Sequence, residues 1–253
     1  MTITSPLIKV MIESICRASK PLARDFHEIN KLRSSRGISS FLQRAQSRSK
    51  EIIYDGLMNY RKNCDFLFID NRDVTIKDDY TGFIAVMDGQ ANFINAINYF
   101  SLSILFLDKK KAIAAVIDAP ILQEIFWVEK ENGVFMEDPQ SHIIPIRNKS
   151  KQGLNGAFAD CYNIKGSLLN KLLLNGVNVR LMGSALLSFA YVAAERFDAL
   201  ICGSINEHKT AIGKLFLQES RGKVSINDNL LIAGNPNLCD SLEDKLKQTT
   251  VAT

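Results

Sequence analysis

Between residues 82 and 136 the chain is built almost entirely of β-forming runs: "GFIAVM", "FSLSILFLD", "AIAAVID" and "EIFWVEKENGVFME". A tight Lys-Lys-Lys turn at 109–111 joins two of them, Pro120 breaks the chain before the last, and Asn132-Gly133 is a strong hairpin signal. Connections this short leave no room for crossover helices, so the segment is predicted to be an antiparallel meander.

The flanks follow other rules. Ser5-Pro6 supplies an N-cap and a proline at the first helical position. Ile8, Met11, Ile12, Ile15, Ala18, Ser19 and Leu22 then recur on one face, which predicts a helix to about residue 30. A second helix is expected over roughly 46–62, with Ile53, Leu57 and Tyr60 inward, followed by a short strand, "CDFLFID", at 64–70. From about 150 the pattern alternates: strand "GAFAD", helix near 164–175, strand "VNVRLM", helix 184–196, strand "FDALIC", helix 208–220, a strand, and a last helix after Asn235-Pro236. The expectation is an N-terminal α+β half, 1–150, and a C-terminal α/β half, 151–253, packed as one globular unit of layered helices and sheets.

Composition narrows the function. The longest apolar run, "YFSLSILFL" at 99–107, is half the roughly 18 residues a membrane span needs, and Lys9 and Glu13 interrupt the apolar N-terminus with no cleavage site after it. No membrane contact and a cytoplasmic location are expected. The five cysteines are dispersed without a Cys-x-x-Cys pair and the three histidines are scattered, which argues against disulfides, zinc and a histidine metal cage. The net charge of +4 is unremarkable, yet residues 31–50 carry Lys31, Arg33, Arg36, Arg44, Arg48 and Lys50 without one acid. That stretch reads either as a solvated helix face or as a contact surface for RNA, phosphate or an acidic partner.

"AVMDGQANFINAI", 85–97, runs as a strand into the turn Asp88-Gly89 and then toward a helix. Two readings stand: Asp88 caps that helix, or the N–H groups of Gly89 and Gln90 form a phosphate-binding site.

Four blocks, "MDGQANFINAINYFSLSILFL", "GSALLSFAYVAAERFDALI", "HKTAIGKLFLQESRGKV" and "IAGNP", resemble in order and spacing the inositol monophosphatase family, within it the bacterial SuhB-type proteins. The similarity covers nearly the whole chain and is weakest over the first 60 residues. It implies an α/β (α+β) fold, a layered αβαβα sandwich, often a homodimer, with a Mg²⁺-dependent phosphomonoesterase site made of carboxylates. Carried over position by position, the ligand Glu after the early strand falls at Ile69, next to Asp70. The first Asp of Asp-Pro-x-Asp-Gly falls at Ala85, its proline at Val86, and the second is kept as Asp88. The Asp of the late Trp-Asp falls at Lys209, after His208, so one carboxylate of four remains. The threonine that orients water is Gln90, the acid that touches substrate hydroxyls is Cys202, and the acid behind the water-activating threonine is Ala45.

The resemblance therefore implies a degenerate site with no catalytic residue and no magnesium expected, in which Lys209 replaces the metal and pairs with Asp88 or Asp70. Gly183, Ser184 and Ala185 read as a close-packed helix start. SuhB-type relatives are implicated in transcription antitermination and ribosomal RNA maturation, roles that need no turnover. The expected function is a binding or regulatory protein whose partners are RNA polymerase or an elongation factor, RNA, or a small phosphate ligand. The competing expectation is a Mg²⁺-dependent inositol or sugar phosphate phosphatase with ligands rearranged among Asp70, Asp73, Asp78, Asp79 and Asp88. A small-anion sensor built on Lys209 lies between the two.

Overall fold

Helix α1, Pro6–Ile29, starts where Ser5 Oγ accepts the Ile8 N–H at 3.2 Å, and it buries Ile8, Met11, Ile15, Ala18, Leu22 and Phe26 along one stripe. The computed structural model that shows this describes residues 4–29, 35–62, 64–69, 76–148, 153–203, 205–227 and 229–247.

Helix α2, Ser35–Tyr60, begins at Ser35 rather than near 46, which corrects the expected boundary. Ala45, Ser49, Ile53 and Leu57 recur every four residues and are all buried, and the half-buried Phe41 and Leu42 extend this inward face into the stretch that reads as loop in sequence. Arginine, lysine and glutamine are adequate helix formers, and Gln43, Arg44, Arg48 and Lys50 are exposed, whereas Gln46 is buried. A Cβ on Gly56 would come within 2.3 Å of Ser14 Oγ, so glycine lets α1 and α2 approach closely.

Beneath this helix pair lies a seven-stranded sheet in sequence order: β1 Asp65–Ile69, β2 Gly82–Asp88, β3 Ser101–Asp108, β4 Lys111–Ala119, β5 Glu124–Glu129, β6 Gly133–Glu137 and β7 Ile143–Ile146. The meander from β2 to β7 is antiparallel, whereas β1 joins β2 in parallel with Ile69 opposite Val86. Strand β7 was not expected from sequence, because "IIPI" is short and contains a proline of the kind confined to sheet edges. The period of two along β2 sorts its residues: Phe83, Ala85 and Met87 face α1 and α2, while Ile84 and Val86 face the opposite core.

That opposite core is filled by two helices of the second half, α5 (Ala185–Ala193) and α6 (Glu207–Glu219), which separate the first sheet from a second. The second sheet has the order β11-β12-β10-β8-β9, from β8 Phe158–Tyr162, β9 Asn178–Arg180, β10 Ala199–Cys202, β11 Lys223–Asn227 and β12 Leu230–Gly234. Strand β9 is shorter than the expected "VNVRLM". On the far side, α4 (Gly166–Leu174) and α7 (Pro236–Lys247) supply Leu172, Leu238, Cys239 and Leu242 to a third core with Ala159, Cys161, Ile201 and Ile232. The result is five layers, αβαβα. A one-turn helix, α3 (Gln90–Ile94), follows β2. Among the described residues no helix is long and apolar enough to cross a membrane.

Candidate functional site

Asp88 is the last residue of β2, on the face turned toward α5 and α6, and the first turns of both helices arrive there. Its side chain is 2% exposed. Ser184 Oγ donates to Oδ2 at 2.8 Å and the Leu186 N–H to the same oxygen at 2.9 Å. Lys209 Nζ lies 2.6 Å from Oδ1. Asp88 therefore caps the start of α5, not the helix that follows it, which corrects the capping expectation. The N-cap of α3 is Gly89, with no side-chain cap. A carboxylate beside the free N–H groups of α5 is favoured by hydrogen bonding and by the helix dipole.

The Lys209 side chain is only 12% exposed, and its ammonium stands 5.9 Å from the centroid of the Tyr162 ring. Burial pulls its pKa down, but the charge and hydrogen bond of Asp88 outweigh this, so the net shift is upward and the lysine stays charged. Of the two sequence-expected partners, the structure brings Asp88 to it; Asp70 lies outside the described residues.

The other ligand positions do not converge. Ile69 is buried in the core under α5 and α6, and Ala85 in the core under α1 and α2, on opposite faces of the sheet. Ala45 is buried in the latter core. Cys202 ends β10, fully buried, with burial raising its thiol so that it remains neutral. Gly89 has φ 78°, and a Cβ there would stand 2.9 Å from Phe100 Cβ, so only glycine suits the turn. Gln90 Nε2 donates to the Met87 carbonyl at 3.2 Å. Asp78 is exposed and paired with Lys110 at 2.9 Å, Asp79 is exposed, and Asp73 lies outside the described residues. Among the described residues no group of three or more His, Cys, Asp or Glu side chains is placed to hold a metal ion.

Behind Ser184 is a polar network that sequence reasoning missed. Asp160 accepts from the Ser188 hydroxyl at 2.5 Å and from the Met182 N–H at 2.9 Å, and the Tyr99 hydroxyl lies 3.1 Å from Ser188 Oγ. Burial raises the Asp160 carboxyl, with these hydrogen bonds opposing it. The one signal in sequence was Ser184 ahead of an apolar helix, where it is indeed the N-cap of α5. Its bond to Asp88 spans 96 residues and has no local signature.

Comparison with known proteins agrees with this architecture. Residues 4–229 match the model of the inositol monophosphatase family. An inositol-1-monophosphatase of Caulobacter vibrioides is 30% identical over 230 residues, covering 86% of this chain and 88% of that protein. The Nus factor SuhB of Escherichia coli is 24% identical over 275 residues, covering 96% and 99%. Among solved structures, the extragenic suppressor protein SuhB of Bartonella henselae superposes with a TM-score of 0.81 at 26% identity, covering 96% of this chain and 99% of that one. This chain belongs to the inositol monophosphatase family.

Proposed function

We propose that this chain keeps the family scaffold without Mg²⁺-dependent hydrolysis and acts as a SuhB-like binding or regulatory protein. The observation that carries the reading is the ion pair between Lys209 and Asp88. Magnesium requires near-octahedral oxygen donors at about 2.0–2.1 Å. Asp88 alone supplies such oxygens among the described ligand positions, and both are already engaged by an ammonium, a hydroxyl and an amide. At about 4 Å and an effective dielectric near 20, two like unit charges repel by about 4 kcal/mol, and a divalent ion beside Lys209 doubles that. Among the described residues the donor set does not fit the metal.

A regulatory role draws support from the match to Nus factor SuhB over 96% of the chain. On this reading the protein works in transcription antitermination or ribosomal RNA maturation, as a homodimer that contacts RNA polymerase, an elongation factor or RNA. A second reading, a Mg²⁺-dependent inositol or sugar phosphate phosphatase, is favoured by the name of the Caulobacter relative. A calorimetric Mg²⁺ titration with a phosphate-release assay on inositol monophosphate separates the two. The expected result is no Mg²⁺ binding and no release; orthophosphate production that stops on chelation would overturn the proposal. Pull-down with RNA polymerase and its elongation factors then tests the partner.

A further inference from the structure

The chain enters α5 through Met182 and Gly183, and that entry is pinned on both sides. Asn92 Nδ2 donates to the Met182 carbonyl at 2.7 Å, and the Met182 N–H donates to Asp160 Oδ1 at 2.9 Å. Asp160 lies in β8, fully buried, and no cation bonds to it among the described residues. Its Oδ2 stands 2.5 Å from Ser188 Oγ, one turn into the helix. Ser188 carries a single hydroxyl proton, yet Oγ also lies 2.8 Å from the Ser184 carbonyl. With Asp160 ionised, carboxylate and carbonyl compete for that proton, and one close contact is left as oxygen against oxygen. With Asp160 protonated the first bond reverses: the acid donates to Oγ, and Ser188 donates to the carbonyl. Tyr99, its hydroxyl 3.1 Å from Oγ, completes the cluster.

Arg180 agrees with the neutral form. It stands opposite Asp160 in the β8–β9 register, where neighbouring strands are about 4.8 Å apart, so a guanidinium can reach the acid. Instead it lies 5.1 Å from the centroid of the Phe158 ring and donates to the Val179 carbonyl at 2.9 Å. An uncompensated buried anion would draw such a neighbour in. The other titratable groups around Asp160 supply no net charge. Burial keeps Tyr99, Cys161 and Cys202 neutral, Tyr191 of α5 turns to the Glu124–Arg196 pair, and Asp88 and Lys209, beyond Ser184, balance each other. We propose that Asp160 is a carboxylic acid donating to Ser188, and that losing its proton as pH rises unlatches residues 182–184 from β8. Burial holds that proton above the ordinary carboxylate range. Once ionised, the carboxylate has no counter-ion and gains from water, whose shortest way in is past the exposed Leu181 and Gly183. The run set free includes the Ser184 hydroxyl that donates to Asp88. The latch does not depend on whether the chain hydrolyses phosphate, because Asp160 bonds to neither Asp88 nor Lys209.

The test labels aspartate carboxyls with ¹³C and titrates the full chain from about pH 4 to 8, following the resonance that Asp160→Asn removes. Its midpoint is expected at least about one unit above the ordinary value near 3.9. Stability is compared in an Asp118→Asn background, so that the other raised carboxyl drops out. There the unfolding constant, relative to the same chain with Asp160→Asn added, should rise about tenfold per pH unit up to that midpoint and level off above it. Asparagine keeps a donor toward Ser188 and an acceptor for Met182, so the variant should fold; should it not, the resonance is assigned through bonds from the Asp160 backbone. Arg180→Gln, an exposed change, should leave the midpoint where it is. Exchange of the Met182 amide, corrected for the intrinsic rise with pH, should quicken on the order of tenfold across the midpoint in the parent and stay level with Asp160→Asn. A midpoint at or below about 3.9, a midpoint raised by Arg180→Gln, or Met182 exchange indifferent to the titration overturns the proposal.

Discussion

Replacing Lys209 with methionine keeps most of the apolar stem and removes the charge, which isolates what the ion pair contributes. At the observed 2.6 Å, an effective dielectric near 20 gives a gross attraction of about 6 kcal/mol. Part of that is offset, because burying the ammonium also costs free energy and the variant no longer incurs it. Removing one partner of a buried pair has a net cost of about 3–5 kcal/mol, since the other charge is left uncompensated. Asp88 would keep two donors, Ser184 Oγ and the Leu186 N–H, which favours the lower end, near 3 kcal/mol. For a chain of this size about 2–4 °C of melting temperature corresponds to each kcal/mol, so the expected fall is about 6–12 °C. Circular dichroism melts at pH 7, with urea midpoints at unchanged slope, measure it. The pKa of Lys209 is raised, so the pair's contribution is complete below the unfolded lysine value near 10.4 and is lost only as pH climbs through the folded value. The penalty should therefore be flat between about pH 7 and 9. Asp88→Asn in the same chain should recover most of the loss, because a neutral amide needs no cation. A Lys209→Met protein that melts with the parent at pH 7 would refute the reasoning.

Asp118, on β4 under α1, accepts from the Ser19 hydroxyl, yet burial pushes its carboxyl up to about 7 from 3.8. Native protein then holds this proton more tightly than the unfolded chain, so the stability is complete below about pH 4 and is lost as pH rises through 7, by up to about 4 kcal/mol; Asp118→Asn should remove that slope from urea titrations. A Cβ on Gly213 of α6 would stand 2.4 Å from the Phe189 ring of α5, so Gly213→Ala should destabilise by about 1–3 kcal/mol in the same assay. Lys209→Asp should not create Mg²⁺-dependent hydrolysis, because Ile69 and Ala85 stay apolar and buried; metal-dependent phosphate release by that single variant would contradict the proposed function.

The apolar β-forming runs from 82 to 136 and the short turns between them were enough to foresee the meander, because the central strands bury both faces, their side chains sorted at period two into two cores. The first turns of α2 were illegible for the opposite reason. Serines, Gly37 and basic residues dominate that stretch, and the inward face they mask offers only Phe41, Leu42 and the small Ala45 before residue 46. At the site, Asp88 and Lys209 could each be located through resemblance and paired by charge alone. What stayed hidden was the third party: that α5 docks its N-terminus on the end of β2 depends on how two sheets stack, and no spacing within the chain encodes it.

That docking bears on why, under the proposed reading, the one surviving carboxylate is Asp88. Ile69 and Ala85 lie in two different hydrophobic cores, where a carboxylate would need its own counter-ion and where an apolar side chain packs at no electrostatic cost. Asp88 has a task that does not depend on a metal, since it satisfies the Ser184 hydroxyl and the Leu186 N–H at the head of a helix buried between the sheets. Replacing it leaves those donors without an acceptor in a place water does not reach. Its negative charge must still be balanced, and an ammonium from the first turn of α6 balances it without an ion. The same bond ties the starts of α5 and α6 to the end of β2. An arrangement held by a metal would loosen when the metal left, whereas this one is closed by covalently attached groups and should hold its geometry in chelator as firmly as in magnesium.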